Sequence, residues 1–174
     1  MPTTVTTVST GARVTQRTTH HDLSLHGRAG AILILILLCF LTFLISFTTS
    51  GWKTRLSDSC GTHRGLWEQC QAISSSYGYH LTTQILMSLA LVGVVVIVIL
   101  VFLYLFATGI SKYQVLLGLV ITSFITFTLL LIAVIVFGVN VSYLGWSYGV
   151  ACVSTILCLA AAIVAAMQLH NSLH

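Results

Sequence analysis

Residues 52–70 read WKTRLSDSCGTHRGLWEQC. The stretch is polar, holds two tryptophans and two cysteines, and lies in the longest interval between apolar runs. What flanks it decides the fold. Before it, residues 29–47 (AGAILILILLCFLTFLISF) contain no Asp, Glu, Lys or Arg. After it come three more uncharged apolar runs, at residues 85–107, 115–137 and 146–169. Each is close to the roughly 20 residues that cross hydrocarbon as a helix. The second and third runs are rich in strand-forming residues, but a lone segment in lipid must close its own backbone hydrogen bonds, which makes it a helix. The expected fold is therefore an all-α membrane protein, a bundle of four transmembrane helices.

Composition agrees. The chain is 57% apolar and 6% charged, whereas a soluble domain carries about 25% charged residues. Its net charge of +4 is small and split between the two sides of the membrane. No basic patch is interleaved with aromatics, so nucleic acid is not an expected partner; membrane lipids are.

Residues 1–28 are rich in Thr and Ser and hold a single acid, Asp22. A segment this polar cannot bury enough surface to offset its ordering entropy, and the expectation is a disordered cytoplasmic tail. A transit peptide is the other reading of its Arg-rich start, but its β-branched runs are poor helix formers. The first apolar run begins too late and runs too long for the core of a cleaved secretory signal. Residues 170–174 form a short second tail.

Four crossings place both termini on one side. Arg13, Arg17, Arg28 and Lys112 then share that side, against Lys53, Arg55 and Arg64 opposite. The bias leans towards cytoplasmic termini. Trp52, Tyr77, Tyr79, Tyr143, Trp146 and Tyr148 gather at the other side, as an interfacial belt does. The predicted location is the plasma membrane, with residues 48–84 as the first extracellular loop.

Cys39, Cys152 and Cys158 lie inside apolar runs and read as small packing residues. Cys60 and Cys70 are the only two in the polar loop. A pair facing the oxidising side is expected to oxidise. A metal site is the alternative, but it would draw on His63 alone as a third ligand. The cluster Gly61-Thr62-His63-Arg64-Gly65 reads as a turn between extended segments, bringing Cys60 opposite Cys70. Two strands alone are marginal in water, so a disulfide and packing onto the helix ends would order such a β-hairpin. Trp67 is the expected anchor of that packing, a large flat side chain with an N–H able to reach the wet side.

Trp52-Lys53 past the first run, followed by Gly65-Leu66-Trp67-Glu68-Gln69-Cys70, resembles the claudin pattern W…GLW-x-x-C. That pattern is shared by the superfamily of claudins, peripheral myelin and epithelial membrane proteins, and stargazin-type channel subunits. The long first loop and short second loop match, as does Tyr143-Leu144-Gly145-Trp146-Ser147-Tyr148-Gly149 leading into the fourth helix. The resemblance covers roughly residues 28–169. It implies a junctional adhesion protein whose first loop meets itself or related four-helix proteins in cis and trans, as a paracellular barrier or pore. The second reading is an accessory subunit or membrane organiser that regulates a channel or receptor; the junctional reading is preferred. The departures point to a divergent member. The candidate partner Cys60 precedes the motif rather than following it, the first loop is short, and no basic residue opens the second helix. The chain ends Ser-Leu-His, so no PDZ ligand is expected at the C-terminus.

Within the membrane, Ser154, Cys158, Ala162 and Ala166 are spaced by four, a small-residue stripe of the kind that lets helices approach closely. It fits packing inside the bundle, with a homo-oligomer contact as the other reading. Gly118, Thr122 and Thr126 make a similar stripe, their hydroxyls expected to bond backbone or a neighbouring helix. No catalytic, cofactor-binding or metal-binding residues are predicted. The histidines lie in tails and loop, never paired at mid-membrane depth, and only three acids are present. The runs hold no proline or ionisable residue of the kind a transport path needs.

Overall fold

One helix forms over each apolar run: α1 (Arg28–Thr48), α2 (Tyr77–Phe106), α3 (Lys112–Asn140) and α4 (Trp146–Leu173). The computed structural model describes residues 28–54, 63–67, 77–106 and 111–173. All four helices are long and apolar enough to span a membrane. The chain is a multi-pass membrane protein on that ground. The expected tail over residues 1–27 lies outside the described residues, as do Cys60 and Cys70.

The helices outrun the apolar stretches because polar residues near their ends satisfy themselves locally. α2 begins at Tyr77, eight residues before the apolar run. There the Thr82 and Thr83 hydroxyls donate back to the Gly78 and Tyr79 carbonyls at 2.9 and 2.8 Å. Residues 170–173, expected as a tail, continue α4 as its last turn. At about 1.5 Å per residue, the 30 residues of α2 extend some ~45 Å, against a hydrocarbon core of about 30 Å. Residues of the first and third links form a platform on one end of the bundle.

Around the bundle, α2 packs on α3, α3 on α4 and α4 on α1, while α1 and α2 touch least. Buried side chains form two clusters along the axis. One, towards the chain termini, joins Ile32, Ile36, Ile97, Val101, Leu116, Leu119, Ala161 and Ala165. The other, towards the first loop, joins Phe43, Met87, Ala90, Leu130, Phe137 and Ala151 with two loop residues, Trp52 and Leu66. Lipid is as apolar as these side chains, so close packing rather than escape from water holds them. The α4 stripe serves this packing. Ser154, Cys158 and Ala162 are buried inside the chain, and Ala166 is half-buried.

Among the described residues, two short strands follow α1. β1 (Lys53–Thr54) pairs antiparallel with β2 (His63–Arg64), Lys53 opposite Arg64 and Thr54 opposite His63. This differs from the expected hairpin. His63 and Arg64 lie in a strand, not in the turn between strands, because β2 is drawn back onto the residues leaving α1. β1 is also bridged on its other side, antiparallel to Leu144 of the third link. The Thr54 N–H donates to the Tyr143 carbonyl at 3.2 Å and the Gly145 N–H to the Trp52 carbonyl at 2.9 Å. Two links far apart in sequence thus share one ladder.

Glycine makes that ladder possible. A Cβ on Gly145 would run into the carbonyl oxygen of Gly51, and one on Gly51 would meet the Ser147 Oγ at 2.6 Å. Gly149, one turn further, faces open space. We expect Gly145→Ala to lower stability by about 1–3 kcal/mol, the usual cost of overpacking. Gly149→Ala should leave it unchanged or raise it by up to about 1 kcal/mol, since alanine is the better helix former. Thermal unfolding of the purified protein in detergent checks the pair, and equal effects would remove the packing explanation.

Candidate functional site

The platform is built on the exposed end of α1. The last four carbonyls of a helix have no partner within it. Three of these four find donors here. Ile45 O accepts the Thr49 N–H at 3.2 Å and the Thr49 hydroxyl at 2.7 Å. Ser46 O accepts the Trp52 indole N–H at 2.7 Å, and Phe47 O accepts the Trp67 indole N–H at 3.0 Å. The two tryptophans of the sequence pattern therefore cap adjacent carbonyls of one helix.

They do so from different depths. Trp52 is fully buried, edge-on to Phe137 at 5.0 Å and to Tyr148 at 6.3 Å. It belongs to the core, not to the interfacial belt in which its position had placed it. The chain turns sharply after α1 and folds the ring back between α3 and α4. Trp67 remains 49% exposed, edge-on to Phe47 at 5.0 Å. It was expected to anchor the loop on the helix ends, with an N–H able to reach the wet side. Its ring packs on Phe47 and stays half-exposed, while its N–H bonds a helix carbonyl. Tyr143 and Trp146 are half-exposed at the same end and fit a belt.

Leu66, between them in the pattern, is fully buried, and its carbonyl accepts the Gln84 side-chain N–H at 2.7 Å. Gln84 lies on the part of α2 beyond the apolar run, so the long helix clamps the loop. Gly65 is buried against Ser50, where a Cβ would sit 3.0 Å from the Ser50 Cα. Trp52, Gly65, Leu66 and Trp67 thus converge on one place. Cys70, the last residue of the pattern, and Cys60 are not described.

Ser147, in the first turn of α4, locks α4 to the end of α1. It is fully buried, its N–H donates to the Gly51 carbonyl at 3.0 Å, and its carbonyl accepts the Ser46 hydroxyl at 2.9 Å. The hydroxyl chain around it has a definite direction. Thr49 Oγ1 spends its proton on Ile45 O. The 2.8 Å contact between Ser147 Oγ and Thr49 Oγ1 must then be a donation from Ser147. Ser147 Oγ in turn accepts the Gly51 N–H at 3.1 Å. Sequence reasoning gave no role to Ser46, Gly51 or Gln84, and quoted Ser147 only as part of the stretch 143–149. Gly51 directly before Trp52, and Gly145 two residues before Ser147, were the only visible signals.

A second polar group lies deeper in the bundle. Ser154 Oγ donates to the Cys39 carbonyl at 3.2 Å, and Cys39 Sγ reaches the Ser154 carbonyl at 3.5 Å. Cys158 Sγ reaches the Ser123 carbonyl at 3.7 Å. Thr126 was expected to bond backbone or a neighbouring helix, but its buried hydroxyl has no partner, nor has that of Ser123. Thr126 instead fills the space over Gly93, where a Cβ would collide with its Oγ1. Close approach of α2 and α3 is won there at the cost of an unpaired hydroxyl, roughly 1–3 kcal/mol.

The arrangement is a hydrogen-bonded mount. It fixes a three-segment ladder and several half-exposed rings at one end of a membrane bundle. Compared with models of known protein families and with curated proteins, the chain matches none.

The two caps should differ in energy. We expect Trp52→Phe, which keeps a ring but strands Ser46 O in a buried site, to cost about 1–3 kcal/mol. Trp67→Phe should cost less than half as much, because that bond lies at the exposed surface, where water can take the place of the indole. Unfolding in detergent micelles measures both, and a larger loss at Trp67 would reverse this assignment.

Proposed function

We propose that this chain is a divergent claudin-like membrane protein, with both termini cytoplasmic. Its platform faces the extracellular space and makes cis and trans contacts at cell–cell junctions, as a barrier or pore element. The observation that carries this reading is the tryptophan pair. The residues of W…GLW, scattered in sequence, meet at one helix end and there build a small sheet on top of a four-helix bundle. Such a mount suits adhesion. Its ladder is short and its outer rings are aromatic, the residue type enriched at protein contacts.

A mixed culture of expressing and non-expressing cells, with a tag on the N-terminal segment, tests the proposal. Enrichment only at borders where both cells carry the protein is the expected result. An even distribution over the surface would overturn the junctional role and favour an accessory subunit of a channel or receptor, to be sought by co-purification.

Cys60 and Cys70 would be joined in this topology, tying the segment between the strands to the residues after Trp67. Peptide mapping without reductant should recover them as one linked pair. Free thiols at both positions would overturn the extracellular placement together with the bond.

A further inference from the structure

Two of the three indoles spend their N–H on carbonyls of α1, Trp52 on Ser46 O and Trp67 on Phe47 O. Trp146 differs. Its ring is more than half exposed, and among the described residues its N–H has no acceptor. An indole nitrogen can only donate, so an acceptor is what this group lacks. Trp146 is the first residue of α4. Its nitrogen edge lies against the turn that follows α1, where a Cβ on Gly51 would collide with Nε1. The ring thus stands at the boundary between bundle and platform. Below it on the same face, Val153, Ile156, Ile163 and Met167 are all exposed. Their spacing of three, four and seven residues makes one apolar stripe. α4 is long and apolar enough to span the membrane, so this stripe faces lipid. Gly149, one turn below the ring, is exposed, with no atom within 4 Å of where its Cβ would stand. The face therefore has a recess directly under the indole.

We propose that Trp146 and Gly149 form a binding site for a glycerophospholipid of the leaflet on the platform side. An ester carbonyl oxygen accepts the Trp146 N–H, the glycerol end of the acyl chain lies in the recess at Gly149, and the chain continues down Val153 and Ile156. A place in an aromatic belt asks only that a ring lie at the interface; a free donor above a recess asks for a particular ligand. Depth selects it. Hydrocarbon holds no acceptor, and the ester carbonyls are the first acceptors met on leaving it. The indole stands where the apolar stripe ends, at that level. Trp67 is no counterpart, because its ring is exposed but its N–H is already bonded. A second copy lying on the stripe would bring apolar side chains and helix carbonyls already paired within their own helix, and would leave the donor unmatched. The inference rests on the membrane-spanning helices and not on the junctional role.

The test places the full-length protein, with its indole nitrogens isotopically labelled, in lipid nanodiscs at one copy per disc. Discs of diester phosphatidylcholine are compared with discs of the diether analogue, which has the same headgroup and chains but no carbonyl oxygens. Indole N–H resonances are read by NMR, and Trp146→Phe identifies the Trp146 signal by its loss. Should that variant fail to accumulate, Trp67→Phe and the slow deuterium exchange of the buried Trp52 N–H assign it by elimination. The expected result is a shift of the Trp146 resonance by several linewidths between the two lipids, with Trp52 and Trp67 unmoved because their acceptors are protein carbonyls. Gly149→Phe, which fills the recess, should abolish that shift and leave the other two resonances in place. A Trp146 resonance equal in both lipids, and exchanging at the rate of a free indole, would put the N–H in water and overturn the proposal. So would a lipid-dependent shift that survives Gly149→Phe, or a Trp146 signal that changes only in discs loaded with two copies, which would make the occupant a second chain.

Discussion

A helix that ends at a membrane boundary must hand its last carbonyls to someone. Inside lipid an unpaired backbone group is prohibitively expensive, and just outside it water competes with whatever the chain provides. Here the end of α1 is capped by two indoles, a threonine hydroxyl and a backbone amide. The rest of the platform follows from that. Burying Trp52 forces the sharp turn at Gly51. The turn lays β1 beside the third link, and the ladder then positions β2 so that Trp67 reaches the neighbouring carbonyl. One helix end thereby organises two loops.

The bundle below solves a different problem. Its helices gain little by hiding apolar surface from lipid, so they depend on fit and on a few internal hydrogen bonds. α1 and α4 are joined by the Cys39–Ser154 exchange and, at the loop end, by Ser46 and Ser147. α2 and α3 rely on Gly93 under Thr126 and tolerate unpaired hydroxyls. The α1–α2 seam has the thinnest contact, and there Gln84 of α2 holds the loop that crosses above it. Packing, polar bonds and the loop share the work unevenly around the ring.

The proposed function asks this platform to present a surface. The aromatic rings left half-exposed at the loop end, Trp67, Tyr143 and Trp146, ride on elements braced by buried hydrogen bonds. A partner meeting them would lose little entropy in ordering the platform, because the cost was met during folding.

Much of this was legible in the chain itself. Four uncharged apolar runs dictate four helices, because lipid permits a lone segment no other way to satisfy its backbone. The spacing of Ser154, Cys158, Ala162 and Ala166 announced a close-packed face, and W…GLW announced that the first loop carries structure. The depth of each tryptophan was not legible, because both are amphipathic rings near a helix end and local sequence does not distinguish the one that folds inward. Nor was the register of β2, which depends on pairing with residues that have just left α1 rather than on the turn residues around it. The meeting of the first and third links, and the roles of Gly51, Gly145 and Ser147, were decided by tertiary structure alone. They arise only when α1 and α4 lie side by side, and contacts made across about a hundred residues leave no periodic trace along the chain.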